Sequence, residues 1–570
     1  MNIKFYQAAF FLVVNICFSL SISAQHTNVL ISSANQPNEP SIFISPVHPD
    51  TMIAASNIAN YYLSYDAGYT WSAHTLTSTF GVWGDPVIIA DTLGHFYFFH
   101  LSNPPSGNWI DRIVCQKTTN GGATWNNGSH FGLNGSKAQD KHWVVVDRNT
   151  NILYATWTEF DSYGSTSTSC KSKIMFSKSI DGGNTWTAAL KINETDGNCI
   201  DSDETTEGAV PAIGPNGEIY VSWAGPDGLV FDKSIDGGLT WLANDIFVDG
   251  FAYGWDLDIP GIGRANGMPI TKCDLSGGPN HGTIYINWAD QSNGLENTDI
   301  WLSKSTNGGN TWSSPERVNQ DNTQTHQFFT WMDIDQSTGY LYFVYYDRRA
   351  YTNNQTDVYL AYSVDGGETF KEEKISDSPF LPTPGIFFGD YNNINVNKGV
   401  IRPIWTRLHS NALSVYTAII DTSLLDFTPS PLDTFIVNDT IIVTDTVVVN
   451  DTLFITDTLF IDGDTVLVYD TIYLGLNQKD VFEIDFQNYP NPTEDKIFFS
   501  FKLHETAEVN LTIYNAFGNK VLDFIKAEKL NYGKHVFSLN SREKGLPPGT
   551  YFYILQIDGF VYKKKSFVIL

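Results

Sequence analysis

Several short clusters in this chain combine residue types that acid–base and nucleophilic chemistry use. They are Trp83-Gly-Asp85-Pro, Asp140-Lys141-His142-Trp143, Trp255-Asp256, Tyr345-Tyr346-Asp347-Arg348-Arg349 and Gly389-Asp390-Tyr391, with Glu39 and Glu207 as further isolated carboxylates. Carboxylates in differing surroundings divide into an acid and a base. A tyrosine beside an Asp/Arg pair offers a nucleophile and a grip for an anion. The candidate catalytic set is therefore Glu39, Asp85, Asp140, Tyr346, Asp347, Arg348 and Asp390. Each has a structural alternative as well: Asp next to Arg forms local ion pairs, and aromatics beside Gly or Asp pack between sheets. Other chemistries find little footing. His142, His281 and His326 have no zinc-ligand spacing, and Gly261-Ile-Gly263 and Gly277-Gly278 do not lie between a strand and a helix as a phosphate loop does.

The elements that must position these residues announce themselves by repetition. SYDAGYTW, TTNGGATW, SIDGGNTW, SIDGGLTW, STNGGNTW and SVDGGETF start at Ser64, Thr118, Ser179, Ser234, Ser305 and Ser363, at intervals of 54 to 71 residues. Asp66, Asn120, Asp181, Asp236, Asn307 and Asp365 can accept hydrogen bonds from the backbone ahead of them, glycine can take positive φ, and the terminal aromatic returns the chain to the core. These turns are structural and carry no chemistry themselves. Between them run short strands such as Glu218-Ile-Tyr-Val-Ser-Trp and Thr283-Ile-Tyr-Ile-Asn-Trp. Repeats of this length are supersecondary units that bury their apolar faces only against neighbours. The expectation is an all-β chain whose residues 25–425 form a six-bladed β-propeller, its edges protected by radial closure.

The six turns resemble the Asp-boxes, or BNR repeats, of the sialidase superfamily. That resemblance implies the propeller fold, and it extends to glycan-active enzymes, sorting receptors and binding proteins alike. A sialidase-like site would need three arginines around a substrate carboxylate, a Tyr activated by Glu, and an Asp acting as acid and base. The superfamily's first arginine lies in an Arg-Ile-Pro motif. The corresponding stretch here is Gln36-Pro-Asn-Glu39-Pro-Ser-Ile, and no arginine precedes Arg112. This departure weighs against an ordinary exo-sialidase.

Composition changes abruptly after the propeller. From Asp421 to Leu474 there are ten Asp and no Glu, Lys or Arg, and Asp-Thr recurs with a period of six between Asp433 and Asp457. An even period keeps the aspartates on one face of an extended chain, so residues 426–476 read as a stiff acidic linker, with a small β unit as the alternative. Asp-Thr followed by an aliphatic residue resembles the O-glycosylation acceptor motif of Bacteroidota at Thr440, Thr446, Thr452, Thr458, Thr465 and Thr471. No cofactor is expected. Calcium on the aspartate row is the alternative, without a ligand spacing to support it.

Residues 477–570 carry strand-like runs separated by Gly and Pro turns and read as a small β-sandwich. Tyr489-Pro-Asn-Pro492, Ile513-Tyr-Asn515 with Gly518, Leu546-Pro-Pro-Gly549 with Tyr551, and the run Lys563 to Lys565 resemble the type A sorting domain of the type IX secretion system. The resemblance implies contact with that machinery and a protein released or attached to the outer-membrane surface. At the other end, Lys4, the apolar run Ala8 to Leu20 and Ser-Ile-Ser-Ala24 read as a signal peptide over residues 1–24.

Charge and cysteine content narrow the partners. The 570 residues have a formal net charge of -28 and no basic stripe, which argues against nucleic acid. Cys115, Cys170, Cys199 and Cys273 allow three pairings, with Cys170–Cys199 the leading bridge, and their spacing suits neither zinc nor a thiol active site. The expected protein is a monomer that binds or acts on an extracellular glycan or glycoprotein. An exo-acting glycoside hydrolase, a lyase and a protein-binding surface propeller stand as alternatives.

Overall fold

The computed structural model describes residues 26–252, 254–428, 447–449, 452–461, 464–472, 487–489, 491–493, 495–503, 506–515, 520–557 and 560–569. The signal-peptide residues 1–24, Thr440 and Thr446 lie outside them. The chain divides into two compact units, 1–434 and 435–570.

Among the described residues the first unit contains seven antiparallel sheets, six of four strands and one, the third, of five. Their innermost strands are Ser41–Ile44, Gly84–Ala90, Ala138–Val146, Glu207–Ile213, Ile270–Cys273, Gln327–Asp335 and Asn393–Asn397. Each innermost strand packs against the next, and the seventh packs back onto the first. The result is a closed ring of seven blades, one more than the six repeats suggest. In the first six sheets four strands follow one another in sequence, the third sheet adding a short fifth, Gly197–Asn198, beside its third strand. The seventh joins Asn393–Asn397, Val400–His409 and Ala412–Ile419 to Thr27–Ser32 from the other end of the chain. The repeated turn connects the third strand of a sheet to the fourth. A sheet whose fourth strand comes from elsewhere has no such turn, so the repeats number one fewer than the blades.

The turns have one geometry throughout. The leading Ser or Thr hydroxyl donates to the Asp or Asn Oδ1 at 2.7–2.9 Å in all six. The same hydroxyl accepts from the backbone N–H of the second glycine position. The glycine is required there for space as well as conformation: Gly238 has φ +82°, and a Cβ on it would meet the Phe176 ring of the preceding sheet at 2.3 Å. Trp241, at the end of that turn, meets the same ring edge-on with centroids 5.0 Å apart. Each second strand adds core. Trp157, Trp223, Trp288 and Trp405 recur on the second strands of sheets three, four, five and seven and are fully buried.

Of the four cysteines among the described residues, Cys170 and Cys199 are joined in a disulfide, while Cys115 and Cys273 are buried thiols.

In the second unit, strands 447–449, 452–461 and 464–472 pair as a three-stranded antiparallel sheet. This part of the acidic segment is thus paired β-structure rather than a single extended spacer, consistent with its β-branched content. Thr452, Thr458, Thr465 and Thr471 lie on these strands. The tail forms a three-stranded sheet (Gln487–Tyr489, Lys496–Leu503, Gly533–Asn540) and a four-stranded one (Lys520–Leu530, Ala507–Asn515, Gly549–Ile557, Phe560–Ile569). Phe499, Leu539, Leu511, Tyr553 and Phe567 from both sheets share one core.

Candidate active site

The innermost strands all start at the same end of the ring, and residues at or just before the starts of the first, second, third, fourth and seventh line a cleft. Because successive strands are antiparallel, the connections from second to third strand and from one sheet to the next also reach this end. The repeated turns lie at the other. Glu39 precedes the first inner strand, Asp85 lies in the second, Asp140 and Lys141 in the third, Glu207 begins the fourth, and Asp390 precedes the seventh. Register shifts interrupt the inner strands between Gly84 and Val87, Asp140 and Trp143, Glu207 and Val210, and Phe328 and Trp331. Such bulges re-aim side chains. Asp85 and Lys141 lie inside them with φ of +49° and +48°, and Glu39 has φ +51°. Left-handed backbone at three non-glycine residues around one cleft is strain of the kind that accumulates at functional sites.

The cleft has two lobes that share Asp140, Lys141, Tyr163 and Arg264. The larger, about 430 Å³, is walled by Phe160, Cys199, Asp201, Glu207, Trp255 and Asp390 among others. The smaller, about 260 Å³, is walled by Glu39, Asn57, Asp85, Trp83, Trp109 and Phe387 among others. Trp83, Trp109 and Tyr163 stand edge-to-face in a row, with successive centroids 5.3 Å apart, each about 40 % exposed (39 %, 41 % and 38 %).

Charges in the cleft are arranged as a network. Lys141 Nζ lies 2.7 Å from Asp390 Oδ2 and 3.5 Å from Asp85 Oδ2. Arg264 donates through Nε to Asp390 Oδ1 at 3.0 Å and through Nη2 to Asp390 Oδ2, a two-point grip. Its Nη1 faces Asp201 Oδ2 at 3.6 Å, and its guanidinium carbon lies 5.0 Å from the Phe387 ring centroid. Asn57 Nδ2 donates to Glu39 Oε2, and Asn57 Oδ1 accepts from the Asp85 backbone N–H at 2.8 Å.

This network sorts the carboxyl groups into two states. Burial raises the Asp140 pKa to about 7, with the Asp85 charge adding to the rise against Lys141. Glu39 is pushed well above the usual range by burial and by Asp85 and Asp390, and Glu207 by burial and by Asp201 and Asp140. Asp390 goes the other way. Burial opposes its charge, but Lys141 and Arg264 together hold it ionised and well below the ordinary value. Asp85 is lowered too, burial being outweighed by Lys141 and His142. Protonated and ionised carboxyls thus share one pocket, the arrangement that separates an acid from a base.

Four of the seven sequence candidates, Glu39, Asp85, Asp140 and Asp390, converge here. Tyr346, Asp347 and Arg348 do not, and line neither lobe. The Tyr346 hydroxyl donates to the Thr406 carbonyl at 2.7 Å, and its ring is enclosed by Phe328, Phe380 and Phe388. Asp347 is buried against Arg349, which also binds Glu372. Arg348 donates to the Pro260 carbonyl at 2.6 Å and lies over Phe328. Tyr346 and Arg348 tie the sixth sheet to its surroundings and Asp347 is paired within it, the structural alternative for an Asp-Arg pair at a strand end. Arg264, Tyr163 and Trp109 have no signal in the sequence, since each comes from an irregular connection. Lys141 adjoined a marked aspartate without being singled out. Among the described residues, no group of three or more His, Cys, Asp and Glu is placed to hold a metal ion.

Three solved structures illustrate what the chain is similar to. A protein of unknown function from Dyadobacter fermentans DSM 18053 shares 13 % identity over 58 % of this chain and 93 % of its own, with a TM-score of 0.41. A Penicillium chrysogenum alpha-L-arabinanase complexed with arabinobiose shares 13 % identity over 70 % of this chain and 99 % of its own, at 0.38. A polysaccharide lyase of the PL25 ulvan lyase family shares 12 % over 68 % and 95 %, at 0.41. Overlaps this loose carry nothing about activity. No curated protein matches the chain. Residues 487–569 match the family model of the secretion system C-terminal sorting domain. The tail is therefore a type IX sorting domain, and the protein that carries it is secreted, to be released or attached at the outer-membrane surface.

Proposed function

We propose that the ring acts on an extracellular glycan, cleaving a glycosidic bond in the cleft by general acid–base catalysis. The observation that carries this is the coexistence of protonated Asp140 with ionised Asp85 and Asp390 around one cavity. The half-exposed row of Trp83, Trp109 and Tyr163 supports it, because flat aromatic faces suit the apolar faces of sugar rings. Export to the cell exterior supplies the setting.

In this scheme the glycan spans both lobes, with the scissile bond over the residues they share. Asp140 gives its proton to the leaving glycosidic oxygen as the bond to the anomeric carbon breaks. Water adds to that carbon, and the Asp85–Asp140 pair takes up the proton it releases. Lys141 keeps Asp85 ionised between the two steps. The three-arginine grip of sialidases is not the basis of this site: Arg264 is the one arginine among the described residues that line it.

Incubating the purified protein with a panel of polysaccharides and measuring new reducing ends tests the proposal. Turnover should fall about 10²–10⁴-fold in Asp140→Asn while binding persists. Unchanged turnover in that variant removes Asp140 from the chemistry. Binding without turnover by the wild type would leave a glycan-binding module.

A further inference from the structure

Both cations that line the cleft are already occupied. Arg264 spends Nε and Nη2 on the two oxygens of Asp390, turns Nη1 towards Asp201, and has one face covered by Phe387. Lys141, whose side chain is 7 % exposed, points its ammonium between Asp390 and Asp85. The side chain of Asp390 is 1 % exposed, so it is built in rather than waiting to be displaced. Counting Lys141 and Arg264 against Asp85, Asp201 and Asp390 gives two positive and three negative charges, a formal excess of one negative. The 570-residue chain as a whole has a formal net charge of -28.

An anionic sugar entering such a site meets no guanidinium or ammonium that lacks a carboxylate already beside it. A carboxylate or sulfate would lose its hydration and face Asp85, Asp201 and Asp390 without a partner. Uncharged hydroxyls, by contrast, can donate to ionised Asp85 and accept from protonated acids, while the ring stacks on Trp83, Trp109 or Tyr163.

We infer that the cleft selects uncharged saccharides, and that Asp390 is the residue that determines this selectivity by keeping Lys141 and Arg264 occupied. The inference rests on the glycan reading above and narrows it. Sialosides, uronates and sulfated glycans are excluded as preferred substrates. Removing the Asp390 charge leaves Lys141 with Asp85 alone and Arg264 with Asp201 alone, which turns the excess of one negative charge into a balance and lightens the penalty on an anion.

The test uses the full chain and matched pairs of ligands: a uronate-containing polysaccharide with its carboxyl-reduced counterpart, and a sialylated oligosaccharide with its desialylated form. In calorimetric titrations the neutral member of at least one pair should bind about tenfold or more tightly than the charged member. In Asp390→Asn the gap should narrow or close, with the charged member gaining about tenfold. Should that variant fail to fold, as judged by circular dichroism, Asp201→Asn at the half-exposed Asp201 should still raise affinity for the charged member about threefold. A wild-type protein that binds the charged member as well as the neutral one overturns the selectivity while leaving the glycan reading intact. Failure of every saccharide to bind overturns both.

Discussion

Lys141 Nζ and Asp390 Oδ2 lie 2.7 Å apart, and this contact joins the third inner strand to the segment that leads into the seventh. Both side chains are almost wholly buried, so the pair is held by the ring and in turn links two distant parts of it. Replacing Lys141 with Met should leave Asp85 and Asp390 without their shared cation. Chemical denaturation is expected to show a loss of about 3–5 kcal/mol. The double variant Lys141→Met, Asp390→Asn should recover part of that loss, since it removes one of the stranded charges.

The protonation of Asp140 makes a pH prediction with a definite sign. Its carboxyl titrates at about 7 in the folded protein and at about 3.9 when unfolded. The folded state therefore holds the proton more tightly, and the associated stability is present below about pH 4 and withdrawn as pH rises through 7. Activity that depends on the same proton should decline along a limb centred near pH 7. Asp140→Asn should flatten the corresponding part of the stability profile, as followed by thermal denaturation at a series of pH values.

Tyr346→Phe separates structure from chemistry at the sixth sheet. The lost hydroxyl leaves the Thr406 carbonyl without its donor in a buried setting, at a cost of about 1–3 kcal/mol. Turnover per folded molecule should be unchanged, because Tyr346 lines neither lobe. A selective loss of kcat in this variant would return Tyr346 to the reacting groups.

The disulfide bears on the cleft as well as on stability. Cys170 closes the connection that carries Tyr163, and Cys199 adjoins Asp201, so the bridge joins two parts of the larger lobe's wall. Opening a loop of this size removes about 3–4 kcal/mol in the chain-entropy account. In Cys170→Ser, Cys199→Ser we expect a lower Tm together with a several-fold rise in KM and little change in kcat. Equal KM values would confine the bridge to a stabilising role.

The parts of the fold legible in the sequence were those with a local cause. Ser234, Asp236, Gly238 and Thr240 close their turn through hydrogen bonds among themselves, so their spacing alone reveals it. The seventh sheet had no such mark, because its fourth strand is contributed by residues 27–32. Among site residues, Asp85 and Asp140 sit beside Trp83 and Trp143 at strand starts and were recognisable. Arg264 was not, since the connection that holds it has no period and its partner Asp390 is 126 residues away.

Taken by itself, the amino-acid sequence determined the all-β class, the repeated turn, the acidic segment and the sorting tail, each of which depends on neighbours a few residues apart. Only the tertiary structure decided that the ring closes with seven sheets, that Tyr346, Asp347 and Arg348 are packing residues, and that Glu39, Asp85, Asp140 and Asp390 meet Lys141 and Arg264. The reason is physical. Closure and convergence arise from contacts between residues far apart in the chain, and which carboxyl is ionised depends on burial and on charges brought close by folding.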